Sequence, residues 1–203
     1  MWRRLAICSV LAGFGLGGIG SAGLAEPAAQ RADASWRSFV SEAGRFRIEL
    51  PADPVVTPDE ERFTLLGPVT GELYRVQLDD LVLAIEVRDL PRLAETLVPA
   101  DRILESTRDG VLSDLDAVEI RRSDRSHQGL PARDFVYRIP EQPAAFERAL
   151  AVLAGGRLYL LTGKAAGQPD ASPEIRRFFA SFRLWGEGQP GALGLPAAPA
   201  DSP

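Results

Sequence analysis

Asp124-Arg125-Ser126-His127 sets an acid, a nucleophile and a base side by side, and His127 is the only histidine in the chain. A hydroxyl nucleophile needs a base to take its proton and an acid to orient that base, all three in contact. Neighbours along a loop rarely converge in that way, and no Gly-x-Ser-x-Gly elbow is present to present a serine sharply. Ser126 and His127 therefore define a remote hydrolase reading. The simpler reading is a solvated loop over Ser123–Pro131.

Other chemistries fail on inventory. With one His, and with Cys8 as the only cysteine, no zinc site of the usual His/Cys kind can be built. Asp79-Asp80 and Asp114-x-Asp116 are too short for an EF-hand loop and lack its central glycine. Gly163-Lys164 is followed by Ala165 rather than Ser or Thr, so it is not a phosphate loop. The 28 acidic residues could supply carboxylate pairs for glycoside chemistry, but spacing marks out none of them. No catalytic, cofactor-binding or metal-ligating residue is assigned, and no cofactor is implied.

The formal net charge is −5, and it becomes more negative once Arg3 and Arg4 are discounted. Phosphate backbones and anionic lipid surfaces call for a basic stripe, so neither nucleic acid nor a charged membrane surface is an expected partner. All but one of the 23 basic residues are arginine, the exception being Lys164. Alongside the high Ala, Gly and Pro content, this bias fits GC-rich codon usage better than a set of dedicated anion readers.

Met1–Gln30 has the three parts of a secretory signal. Arg3 and Arg4 form a positive start, an uncharged apolar run follows, and Gly23-Leu24-Ala25 puts small residues at −3 and −1. Cleavage is expected between Ala25 and Glu26. The run could span a bilayer at ~20 residues, but its repeated glycines make it weakly hydrophobic, so no stable membrane span is expected after processing. Ile7 is too large to precede a lipidated Cys8. The Arg3-Arg4 pair leaves both general secretory and twin-arginine export open. Gly13-x-Gly15-x-x-Gly18 matches a dinucleotide fingerprint, yet it lies inside this leader and not between a strand and a helix.

The remainder divides into a flexible lead-in over 26–35, one α+β domain over 36–185, and a Pro/Gly/Ala-rich tail over 186–203 expected to be disordered. Phe46, Ile48 and Leu50 alternate with Arg45, Arg47 and Glu49, which predicts a half-buried strand after Trp36–Val40 and the turn Ser41–Gly44. Pro51, Pro54 and Pro58 are expected to break regular structure. Leu73–Leu78 and Leu81–Val87 flank the turn Asp79-Asp80, and Phe146–Leu153 and Leu158–Leu161 flank Gly155-Gly156. Val118–Arg122 and Phe135–Ile139 flank the longer loop. Short connections predict a mostly antiparallel sheet. Helical spacing covers Asp101–Leu115, with Leu104 and Val111 on the apolar stripe. A second helix starts at Ser172-Pro173-Glu174, and Ile175, Phe178, Phe179 and Phe182 face the core.

This layout resembles the PsbP-like fold, shared by the extrinsic photosystem protein, a yeast Ran-binding protein and many exported bacterial proteins of unknown function. The resemblance rests on Gly44–Pro51, on Gly129-Leu130-Pro131-Ala132-Arg133-Asp134-Phe135, and on Phe178-Phe179-Ala180-Ser181-Phe182-Arg183-Leu184. It implies an antiparallel sheet sandwiched by helices, and proteins that bind or help assemble other proteins rather than catalyse. The sequence thus points to a periplasmic or secreted interaction module with an unidentified envelope protein as partner. The alternative is a binder of a small apolar ligand between sheet and helix.

Overall fold

The computed structural model describes residues 35–185 apart from 65–66, 80, 141–145 and 166, and describes only the backbone at 59–64. The expected leader, its Ala25/Glu26 junction and the tail over 186–203 lie outside the described residues.

Seven strands form the main sheet, in the order β3-β4-β5-β9-β8-β7-β6. They are β3 (Val55–Thr64), β4 (Gly67–Leu78), β5 (Leu81–Asp89), β6 (Val118–His127), β7 (Leu130–Arg138), β8 (Phe146–Ala154) and β9 (Arg157–Lys164). Every pairing is antiparallel, as the short turns require of the hairpins, and β5 meets β9 across a long connection. A second sheet of three strands sets β2 (Phe46–Leu50) between β1 (Arg37–Ser41) and β10 (Arg183–Leu184). The helices are α1 (Arg92–Leu97), α2 (Ala100–Asp114) and α3 (Pro173–Ser181), the last preceded by a 3-10 turn at Pro169–Ala171.

The turns explain the tight hairpins. Gly155 and Gly156 both have positive φ, at 51° and 74°, which suits the two-residue turn that matches strand twist. Gln128 and Gly129 do the same at 53° and 82°. That second turn overturns the loop expected over Ser123–Pro131. β6 and β7 pair from Val118↔Arg138 to His127↔Leu130. The run Ser-Asp-Arg-Ser-His carries no apolar alternation because β6 is an edge strand whose side chains are mostly exposed. Pro58 likewise sits within β3 instead of ending it. β3 is the other edge, where a missing N–H need not cost a ladder bond. The short helix α1 carried no clear sequence signal. α2 and α3 lie within a residue or two of their expected positions, and the Ser172 hydroxyl accepts a hydrogen bond from the Ile175 N–H at 3.2 Å, capping α3.

Two cores follow from strand alternation. On one face of the main sheet, Leu83, Ile85, Val87, Leu150, Val152, Tyr159 and Leu161 pack against Phe46 and Ile48 of the small sheet and against Ile175, Phe178 and Phe179 of α3, with Phe182 just beyond it. Phe46, Phe178 and Phe182 are fully buried, each contributing about 1.5–3 kcal/mol from apolar transfer. On the other face, Phe135, Tyr137, Ala149, Ala151, Leu158 and Leu160 meet Leu104 and Val111 of α2. β8 and β9 are covered on both sides, and this is why they read as continuous apolar runs.

Candidate functional site

β6 disperses the acid, nucleophile and base that are adjacent in sequence. Successive side chains of a strand point to opposite faces, so Ser126 and His127 diverge. Ser126 is exposed. His127 is half-buried, its ring 5.3 Å from that of Phe182. Asp124, on the Ser126 side, is engaged elsewhere, because its Oδ1 accepts from Arg133 Nε at 2.7 Å. His127 Nε2 is buried without a hydrogen-bond partner. Burial, followed by the nearby positive charge of Arg183, holds the imidazole below its usual pKa, while hydrogen bonding with the Phe182 backbone and the Gln128 side chain pulls the other way. An imidazole tilted against a phenylalanine ring is a packing element here, and the Ser126 hydroxyl lies on the opposite face of the strand.

Arg133 and Asp134, adjacent in β7, are both buried and face opposite ways. Arg133 reaches the α2 side, where Nη2 donates to Asp101 at 2.6 Å and Nε to Asp124. Asp134 faces the α3 side and accepts from Arg148 Nη2 at 2.5 Å, with Arg125 also paired to it at 3.2 Å. The Arg148 guanidinium lies 4.6 Å from the centre of the Phe179 ring. This pair therefore ties each helix layer to the sheet.

A second polar cluster was not anticipated from sequence. The Ser41 and Tyr74 hydroxyls lie 2.7 Å apart, Ser41 Oγ accepts from the Gly44 N–H, and the Tyr74 hydroxyl donates to Glu72. Burial, then the hydrogen bond to Glu72, pushes the Tyr74 phenol up to about 12. Tyr159 donates to the Gly44 carbonyl at 2.9 Å. These bonds pin the β1–β2 turn to the main sheet. A phenol so far from neutral titration is a structural donor.

A cleft of about 360 Å3 opens on the outer side of the small sheet, lined by Ser38, Arg47, Ile48, Glu49, Ser181 and Arg183. Arg47 and Arg183 are exposed and directly opposite each other in the β2–β10 register. Glu49 is engaged by Arg177 Nε at 2.6 Å. Ser181 accepts from the Glu49 N–H and donates to the Phe178 carbonyl. The cleft is polar and lies on the far side of the small sheet from the core. Beneath α3 the packing is tight: a Cβ on Gly163 of β9 would come within 3.1 Å of the Phe179 ring.

Among the described residues, no group of three or more His, Cys, Asp or Glu side chains is placed to hold a metal ion. Among the same residues, no helix is long and apolar enough to cross a membrane.

An antiparallel sheet with helices on both faces and a small sheet closing one of them defines an α+β sandwich. Comparison with solved structures makes that class specific. Cyanobacterial PsbP from Synechocystis is similar over 84% of this chain and 99% of its own, with a TM-score of 0.50 and 15% identity. The chain thus has a PsbP-like fold, in agreement with the resemblance carried by its three sequence segments. A Pseudomonas aeruginosa protein of unknown function, PA94, aligns over 64% of this chain and 83% of its own at 9% identity, but at a TM-score of 0.37 it carries no argument. No protein-family model and no curated protein matches the chain.

Proposed function

We propose that the chain is an exported module of the cell envelope that acts by binding another protein rather than by catalysis. The observation that supports this most is the fate of its nucleophile–base neighbourhood: Ser126 and His127 lie on opposite faces of β6, and Asp124 is held by Arg133. The exposed side chains that can meet a partner lie elsewhere. They include Arg47 and Arg183 on the small sheet, Leu93 and Leu97 on α1, and Val118 and Ile120 on β6. Export rests on the leader pattern of residues 1–25, with cleavage after Ala25. The tightly filled space beneath α3 and the polar lining of the outer cleft give no support to an apolar-ligand binder.

Cross-linking in intact cells, followed by affinity purification of the exported chain from the envelope fraction, tests this reading. A defined protein adduct is expected, on a chain whose mass starts at Glu26. Turnover of an ester, peptide or glycoside by the purified protein, abolished by His127→Ala, would refute it.

A further inference from the structure

The small sheet places two arginines at directly opposed positions with no carboxylate of the described residues between them. Arg47 on β2 and Arg183 on β10 are cross-strand partners. Side chains so placed have Cβ atoms about 4.5–5.5 Å apart, and like charges there repel. Among the described residues neither forms a salt bridge, although arginines elsewhere are matched to carboxylates: Arg148 to Asp134, Arg157 to Asp89, Arg177 to Glu49. Arg183 Nη1 donates to the Ala180 and Phe182 carbonyls, which holds that guanidinium at the end of α3. The one carboxylate lining the cleft, Glu49, is already engaged by Arg177. All this occurs in a chain of net charge −5, where the easiest remedy for a repelling pair would be a nearby acid.

We propose that the cleft between Arg47 and Arg183 is the docking point for a carboxylate side chain on an acidic segment of the partner protein. A carboxylate between two guanidiniums accepts hydrogen bonds from both and removes their repulsion on binding. Arginine is also well suited to anchoring an interface, because its planar fork loses little freedom per bond formed. Ser38, exposed on β1 and opposite Glu49, adds a hydroxyl at the rim. This inference rests on the binding-module reading above and names the chemistry of that module's partner.

A capped hexaglutamate peptide, with hexaglutamine as its neutral counterpart, is the probe. Binding to the purified exported protein is followed by fluorescence anisotropy at low salt. Hexaglutamate should bind and hexaglutamine should not. The double variant Arg47→Ala with Arg183→Ala should weaken binding at least tenfold, while Arg92→Ala on α1 should leave it unchanged. Both cleft residues are exposed, so these variants should fold. The single histidine supplies an independent readout: its NMR titration should shift to higher pH when hexaglutamate screens Arg183, and should not respond to the peptide in Arg183→Ala.

Equal binding of both peptides, or no effect of the double variant, would overturn the proposal. Inorganic phosphate or phosphatidylglycerol vesicles binding more tightly than hexaglutamate through the same arginines would replace it with a phosphate site. A tenfold gain in peptide affinity on Glu187→Gln would make the chain's own tail the occupant. Partner capture at wild-type level by the double variant would remove this inference and leave the binding-module reading standing. His127-dependent turnover would remove that reading even if hexaglutamate still bound.

Discussion

On the α3 side of the main sheet, the Asp134 carboxylate is 2% exposed and bound by Arg148, whose guanidinium rests on Phe179. On the α2 side, Arg133 is equally buried, but its partners Asp101 and Asp124 are 73% and 68% exposed. The aromatic rings divide in the same way. Phe46, Tyr74, Tyr159, Phe178, Phe179 and Phe182 lie in the α3 core, against Phe135 and Tyr137 in the other. One face is thus closed by large rings and a buried ion pair, the other by one amphipathic helix and a clamp at the solvent boundary. The difference teaches where the fold is fixed. The small sheet packs over the core richer in buried rings, so its outer face, with Arg47 and Arg183, is backed by closely packed side chains.

Substitutions can break that comparison. Asp134→Ala would leave Arg148 and Arg125 without their shared carboxylate and should cost about 3–5 kcal/mol in urea unfolding. Asp101→Ala and Asp124→Ala should each cost less, about 1–2 kcal/mol, because each leaves one buried Arg133 N–H unpaired while the other carboxylate still neutralises the charge. Equal costs on the two faces would show that burial does not separate the clamps. Phe178→Ala, fully buried on α3, should likewise cost about 3–5 kcal/mol, and Leu104→Ala on α2 about 2–3 kcal/mol.

Smaller effects sharpen the picture. Gly163→Ala should lower stability by about 1–3 kcal/mol if the Phe179 ring cannot give way. Ser172→Ala removes the cap of α3 and should cost about 1 kcal/mol. His127 supplies the smallest effect. Its folded pKa lies below the ordinary value of 6.5, so the unfolded chain binds the proton more readily. Stability should therefore fall as pH drops below about 6.5 and level off once the folded imidazole is itself protonated. His127→Gln should lack this component in thermal melts taken across pH.

The order of these effects shows what the sequence made legible. Ile175, Phe178, Phe179 and Phe182 announced the α3 core because a helical stripe after a Ser-Pro-Glu start has few other readings. Gly155-Gly156 and the two-sided apolar runs of β8 and β9 were equally clear. The edges were not. β6 lacks alternation because solvent takes most of its side chains, and β3 tolerates Pro58 because its outer side has no partner strand. The site was harder still. Arg47 and Arg183 are 136 residues apart in the chain, and only the pairing of β10 with β2 brings them together. The adjacency of Ser126 and His127 rightly carries little weight in the sequence, but for a loop's reason: the segment is a strand, in which neighbours point apart. Arg133-Asp134 looked like a structural motif and is one, but only the structure shows one residue serving each face.

The central claim is that the outer face of the small sheet meets a protein partner. The direct measurement is photocross-linking in living cells with benzoylphenylalanine at Ser38, which lines the cleft, against the same probe at Asp109, exposed on α2. The account predicts a discrete protein adduct from position 38, lost in the Arg47→Ala, Arg183→Ala background, and none from position 109. No adduct from position 38, or one that persists without both arginines, would contradict it.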